Sequence, residues 1–254
     1  MTNKLFVLLP PSEGKESGGV KKVQRDTFAA LLDTPRQEVR RALAELLRVP
    51  SPERLAKIFK VKGTLLERAV EAATEYVNGS PLQLRAYERY SGVVWSHLEP
   101  ATLASPLREK ILIPSGLYGL TTANDSVADY RLKMDVRLGG LGVLHTFWRG
   151  HLADVIGSKT KHSTLCNLLP KEHSEAIDWQ ALPSSTKVLN ITFMNYAGDG
   201  VVGHDAKAAK GVVARHLLLE GAQSLQGFEW MGWRAHESEQ GWSIRAPKAR
   251  LLGK

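Results

Sequence analysis

Residues 5–9, LFVLL, are apolar without interruption and stop at Pro10-Pro11. Such a run reads as a buried strand, and the paired prolines, which force extended backbone and offer no N–H, hand the chain to a loop. That loop is Ser12-Glu13-Gly14-Lys15. Open α/β sheets expose their binding groups beyond strand ends, so Ser12 and Lys15 are the first site candidates, with Lys15 as an anchor for a phosphate or carboxylate. The polar, glycine-bearing stretch 15–22 predicts a mobile surface connection.

Thr34-Pro35-Arg36-Gln37 places a capping hydroxyl, a proline and a glutamine where a helix would begin. Val39, Ala42, Leu43, Leu46 and Leu47 follow at i, i+3, i+4, i+7 and i+8, which puts Arg36, Arg40, Arg41 and Arg48 on the solvent side. Ser51-Pro52 opens a second helix carrying Leu55 and Ile58, and Thr64-Leu65-Leu66-Glu67 reads as a capping box for a third. Between them lies Lys60-Val61-Lys62-Gly63. Two short helices around a basic, glycine-containing turn can hold DNA phosphates as a helix-hairpin-helix, and an ordinary antiparallel helix pair needs the same short turn. On the first reading the DNA-binding residues are Lys57, Lys60, Lys62, Gly63 and Arg68.

Beyond Pro81 the texture becomes β-rich. Segments 92–95, 110–114, 164–168 and 187–193 read as strands, 147–156 and 206–219 as helices, and 228–235 with 242–246 as a closing hairpin. Gly221 stops the second of these helices. The expected fold class is α+β, a single mixed-sheet domain over residues 1–254 with an N-terminal helical elaboration at about 34–78 that contains the helix-hairpin-helix-like turn.

The 254 residues carry 34 Lys+Arg against 26 Asp+Glu, a net +8 that favours polyanions without requiring them. Basic residues gather at 36–68 and again at Arg245, Lys248, Arg250 and Lys254. No apolar run approaches the roughly 18 residues of a membrane span, and the lone Cys166 has no internal disulfide partner, so no membrane partner and a reducing cytoplasm are expected. The eight histidines include no pair at i+3 or i+4, and no metal or other cofactor is assigned. Walker A, GxSxG, HExxH and dinucleotide-binding patterns are missing too. Cys166 lies in an apolar strand and reads as an inert buried thiol.

The densest chemistry is in 115–138. Gly116 and Gly119 flank Tyr118 directly after a strand, which lets backbone approach a ligand while the tyrosine stacks or donates. Asp125, Asp129, Arg131, Lys133 and Arg137 add charge, in a pattern that equally fits an amphipathic strand with Tyr130, Leu132, Met134, Val136 and Leu138 facing inward. The candidate catalytic residues are Ser12, Lys15, Tyr118, Asp129, Arg131, Lys133 and Lys207. The candidate ligand pocket comprises Pro11, Ser12, Lys15, Ser115, Gly116, Tyr118, Gly119, Arg131, Lys207 and Lys210. It suits a nucleobase, nucleoside or nucleotide-like ligand.

LLPPSEGK, the 92–95 segment GVVW, SGLYGL followed by YRLKM, Phe147-Trp148, Asn167-Leu168 and AKAAKGVVAR together resemble the YaaA family of peroxide-stress proteins over nearly the whole chain. The family's signatures fall on Pro11, Ser12 and Lys15; on Ser115, Gly116, Tyr118, Gly119, Asp125, Tyr130, Arg131 and Met134; and on Lys207, Lys210 and Arg215. The resemblance implies a cytoplasmic protein that limits free iron during peroxide stress. It also implies an unusual α+β fold with a helix-hairpin-helix and non-specific binding of double-stranded or branched DNA.

Overall fold

The opening apolar run is β1 (Lys4–Leu8), and it lies inside an eight-stranded sheet. The computed structural model describes residues 4–21, 25–49, 51–202, 206–239 and 241–248. After β1 come α1 (Ala29–Arg48), α2 (Pro52–Phe59), α3 (Thr64–Val77), β2 (Gln83–Arg85), α4 (Ala86–Arg89), α5 (Val93–Leu98) and α6 (Ser105–Arg108). The chain continues through β3 (Ile111–Ser115), β4 (Gly119–Thr122), β5 (Ser126–Ala128), α7 (Leu144–Thr160), β6 (Ser163–Asn167), α8 (Lys171–Ser174) and β7 (Lys187–Met194). It closes with α9 (Ala206–Glu220), β8 (Glu229–Trp230), β9 (Trp233–Ser238) and β10 (Gly241–Arg245).

The strand order is β4-β3-β1-β6-β7-β10-β9-β8. β3, β1, β6, β7 and β10 run parallel, while β4, β9 and β8 add antiparallel edges. The carboxyl ends of five strands therefore share one edge, and the loop after β1, the segment after β6 and the entry to α9 gather there. Phe6, Val7, Leu8, Ile111, Leu112 and Leu165 are all fully buried, as expected of strands covered on both faces. β2 and β5 form a separate antiparallel pair. This is an α+β chain with a mixed sheet, as the residue pattern predicts.

α1 begins at Ala29 and runs through Pro35, rather than starting at Thr34. Burial of Phe28 and Leu32 anchors the extra turn and outweighs the amide hydrogen bond that Pro35 cannot make. Arg36 also turns inward. Its guanidinium donates to the carbonyls of Tyr118 and Leu120, both at 2.9 Å, and meets Asp26 at 2.6 Å, so this arginine ties α1 to the sheet. Arg40 likewise reaches the Val77 carbonyl at the end of α3.

α2 starts at the Ser51 cap as expected, its hydroxyl accepting from the Arg54 amide. Thr64 does not cap α3; Gly63, at φ 58° and ψ −142°, holds that position without a side-chain bond, and Thr64 is the first helical residue. Segment 92–95 is the start of helix α5 and not a strand. Trp95 and Leu98, three residues apart, are buried while Val93 is exposed, so helical spacing decides its face.

The alternation in 130–138 is real in burial: Tyr130, Leu132, Met134, Val136 and Leu138 are buried, and Asp135 and Arg137 exposed. The segment joins no named strand, because it packs over Gly116 rather than beside a partner ladder. Residues 16–20 are exposed but tied down. Lys15 bridges to Tyr90 and Val20 to Gln83, and buried Arg89 donates to the carbonyls of Glu16, Gly18 and Leu82. The closing hairpin is β9–β10, with β8 added and Phe228 outside it. Lys22, His204, Arg250 and Lys254 lie outside the described residues.

Candidate functional site

Beyond β1 the loop is clamped before it can present a side chain. Trp95 Nε1 donates to the Pro10 carbonyl at 3.2 Å, and Ser12 packs against Gly92, where any side chain would collide with its hydroxyl. Pro11 is half-buried beside them. The next turn brings Lys15 back toward the sheet, where its Nζ donates to the Ser12 carbonyl at 2.7 Å and stands 4.3 Å from the centre of the Tyr130 ring and 5.6 Å from that of Tyr90.

Three segments enclose a cleft of about 360 Å³ around this amine: Glu13, Gly14 and Lys15 after β1; Leu65, Arg68, Ala69 and Ala72 on α3; and Asp129, Tyr130 and Arg131 after β5. Ser91 completes the wall. The α3 contribution repeats at three and four residues, so one helical face lines the cleft.

Arg68 sends Nε and Nη2 to the same oxygen of Asp129, each at 2.7 Å, and Nη2 also reaches the Lys15 carbonyl at 2.9 Å. Asp129 is thereby committed to an arginine, and Lys15 is left with a backbone carbonyl and two aromatic faces. Burial pushes the Lys15 ammonium down to about 7, with Asp129 pulling the other way. Glu13 stays below the usual carboxylate range because Lys133 bonds it at 2.5 Å, with Arg131 at 3.4 Å. Arg131 Nε is buried in the cleft wall without a protein partner among the described residues.

Beneath Lys15 the Tyr130 and Tyr90 hydroxyls bond at 2.8 Å. Burial raises the Tyr130 hydroxyl to about 12 and raises Tyr90 as well, so both stay protonated donors at neutral pH. Tyr118 does not line the cleft. Its hydroxyl accepts from the Ala128 amide at 2.9 Å, its ring meets Tyr76 and Tyr130 edge-on, and Ser115 Oγ accepts its amide at 3.2 Å. Gly116 and Gly119 admit protein rather than ligand. A side chain at 116 would strike the Leu132 carbonyl at 2.6 Å, and one at 119 the Trp148 ring at 2.5 Å.

The predicted site residues therefore divide. Lys15, Asp129 and Arg131 line one cleft; Ser12 supports it from behind; Lys133 reaches it through Glu13. Lys207 is exposed at the start of α9 and contributes to holding Glu13 low. Lys210, 5.4 Å from the centre of the Phe193 ring, is pushed down to about 8 by burial. Near it Glu172 falls to about 2, with His173 3.7 Å away. Cys166 is fully buried in β6 and its thiol is raised to about 12, which keeps it from acting as a thiolate.

Lys57 is exposed on α2, and Lys60, Lys62 and Gly63 are exposed on the α2–α3 turn, where Lys60 meets Asp135 at 2.5 Å. Arg68, assigned by sequence to the same surface, instead faces the cleft. The spacing Leu65, Arg68, Ala69, Ala72 carries the signal that places it there. Ser91 bears no such signal, because it reaches the cleft wall only where the chain pairs back through the Lys15–Tyr90 bridge. Among the described residues no group of three or more His, Cys, Asp or Glu converges as a metal site, and no helix is long and apolar enough to cross a membrane.

The family model described as peroxide stress protein YaaA matches residues 5–239, from β1 through β9. The chain belongs to this family. Similar curated proteins include a UPF0246 protein of Streptomyces coelicolor, 29% identical over 224 residues that span 85% of this chain and 84% of that one. One from Verminephrobacter eiseniae is 28% identical over 211 residues, covering 76% and 79%, and one from Ruegeria is 29% identical over 205, covering 75% and 80%. The family match takes in every segment that lines the cleft, together with the α2–α3 turn.

Proposed function

We propose that this YaaA-family protein is a cytoplasmic peroxide-stress protein that binds double-stranded or branched DNA through phosphate contacts, using the α2–α3 turn as a helix-hairpin-helix. The observation that carries this reading is the dual use of α3: its first turn adjoins the exposed basic residues Lys60 and Lys62, and its 65–72 face walls the cleft. A strand held at the turn thus passes beside the cleft mouth. The net charge of +8 supports polyanion binding. Binding of labelled duplex and junction DNA across a salt series tests the reading. Steep salt dependence is expected, and salt-independent or absent binding rejects it.

A second reading is favoured by the unpartnered Arg131 Nε and the lysine beside it. On this reading the cleft takes a nucleobase, nucleoside or nucleotide-like ligand, with Arg131 holding its anion and Tyr130 and Tyr90 behind Lys15. A thermal-shift panel of nucleosides, nucleotides and sugar phosphates tests it, and no stabilisation by any of them rejects it. With the family comes the further proposal that the protein lowers free iron under peroxide. Electron spin resonance of chelatable iron in cells with and without the gene tests that role.

A further inference from the structure

Lys15 differs from a surface lysine in every partner it has. Its one hydrogen bond among the described residues goes to a backbone carbonyl, its remaining faces meet Tyr130 and Tyr90, and the nearby Asp129 carboxylate is bonded by Arg68. The charges that face it are mixed: Asp129 and Glu13 favour the ammonium, Arg131 and Arg89 oppose it. It nonetheless lines an open cleft of about 360 Å³, beside an arginine nitrogen with no protein partner. A lysine amine with no ion pair among the described residues, lining an open cleft together with an arginine, supplies the parts needed to capture a carbonyl compound that carries an anion.

We propose that Lys15 is an imine-forming amine whose substrate is an open-chain sugar aldehyde bearing a phosphate, the chemistry shared by a free sugar phosphate and by an abasic site in DNA. The inference rests on the reading of the cleft as a ligand site. The Lys15 lone pair forms a C–N bond to the aldehyde carbon, and the carbonyl electron pair moves to oxygen, which takes up a proton. The nitrogen releases one proton to solvent to give the carbinolamine, whose oxygen takes up a proton and leaves as water, and the nitrogen of the C=N bond then releases its remaining proton to solvent. The sum is amine plus aldehyde giving imine plus water, with no change of oxidation state. Arg131 holds the phosphate, and solvent in the open cleft carries the protons. Burial assists by keeping a share of the amine neutral near pH 7, where an exposed lysine is almost wholly charged.

The test uses the full chain with sodium cyanoborohydride, which fixes an imine as a secondary amine. Ribose 5-phosphate and a duplex carrying one abasic site are the two probes, and an undamaged duplex is the binding control. Peptide mass spectrometry should place the adduct on Lys15 at least roughly tenfold above exposed lysines such as Lys57 and Lys62, and above Lys210, which is also buried but lines no part of the cleft. Lys15→Met should lose the adduct. Labelling by the sugar phosphate alone or by the abasic duplex alone supports the chemistry and identifies the source of the aldehyde. Label spread in proportion to exposure, or a favoured site other than Lys15, overturns it. The wild-type map reads Lys15 directly, so the proposal stays testable even where a variant fails to fold. Salt-sensitive binding of undamaged duplex with no Lys15 adduct from either probe removes the amine chemistry and leaves the DNA reading in place. A Lys15 adduct without duplex binding does the reverse.

Discussion

Arg68 grips one oxygen of Asp129 through two guanidinium nitrogens, each at 2.7 Å. The pair engages the carboxylate whose charge opposes the burial penalty on Lys15. Arg68→Ala releases Asp129 to the ammonium and should raise the pH at which Lys15 becomes reactive above the wild-type midpoint near 7. The rate of reductive labelling of the Lys15 peptide against pH measures this. An unchanged midpoint means that Arg68 does not govern the amine.

Stability should carry the mark of the same lysine. Its folded-state value near 7 lies below the unfolded one of about 10.4, so between those limits the unfolded chain binds more protons and stability rises with pH. Below about pH 7 the burial penalty is present in full. Lys15→Met should therefore be more stable than wild type at pH 6, with the gap closing toward pH 10. Urea denaturation at the two values decides it, and a gap that widens with pH contradicts the assignment.

At the α2–α3 turn the two lysines should contribute unequally. Lys60 is already paired with Asp135 at 2.5 Å, whereas Lys62 is exposed and carries no ion pair among the described residues. Lys62→Ala should reduce the salt slope of duplex binding by about 0.9, the share of one phosphate contact, and Lys60→Ala by less. Asp135→Ala should tighten binding by freeing Lys60. Fluorescence anisotropy over a salt series reads all three, and slopes that none of them moves place the DNA surface elsewhere.

Arg36 should be the costliest of the α1 arginines to replace. Arg36→Met strands the carbonyls of Tyr118 and Leu120 in the interior and removes the partner of Asp26, a loss of about 3 kcal/mol. Exposed Arg41 offers a comparison, and Arg41→Met should stay within about 0.5 kcal/mol of wild type. Equilibrium unfolding in urea compares the two, and equal effects exclude a special role for Arg36.

Gly63 and Gly119 share a positive φ, 58° and 68°, but not their surroundings. A methyl group at 63 meets nothing within 4 Å, so Gly63→Ala should cost only the conformational strain, about 1 kcal/mol. At 119 it would stand 2.5 Å from the Trp148 ring, and Gly119→Ala adds overpacking for a total of about 3 kcal/mol. Thermal unfolding of the two variants separates strain from crowding; similar shifts would mean that Trp148 moves aside.

Residue pattern alone determines the elements whose signal is local. The unbroken apolar run gives β1, the serine-proline cap gives the start of α2, and period-two burial in 130–138 holds although no ladder forms. The family signatures likewise mark the loop after β1 and the segment around Tyr130 as places to look. Tertiary structure decides what those residues do. Whether Arg36 faces water, whether 92–95 coils or extends, and whether Tyr118 meets a ligand or the Ala128 amide all depend on partners far away in the chain. The cleft is the clearest case, because Lys15, Arg68 and Asp129 come from three separate segments and only their assembly buries the Lys15 amine. Hydrophobic period and capping act over a few residues and can be read along a chain, whereas desolvation and ion pairing follow distances that folding alone creates.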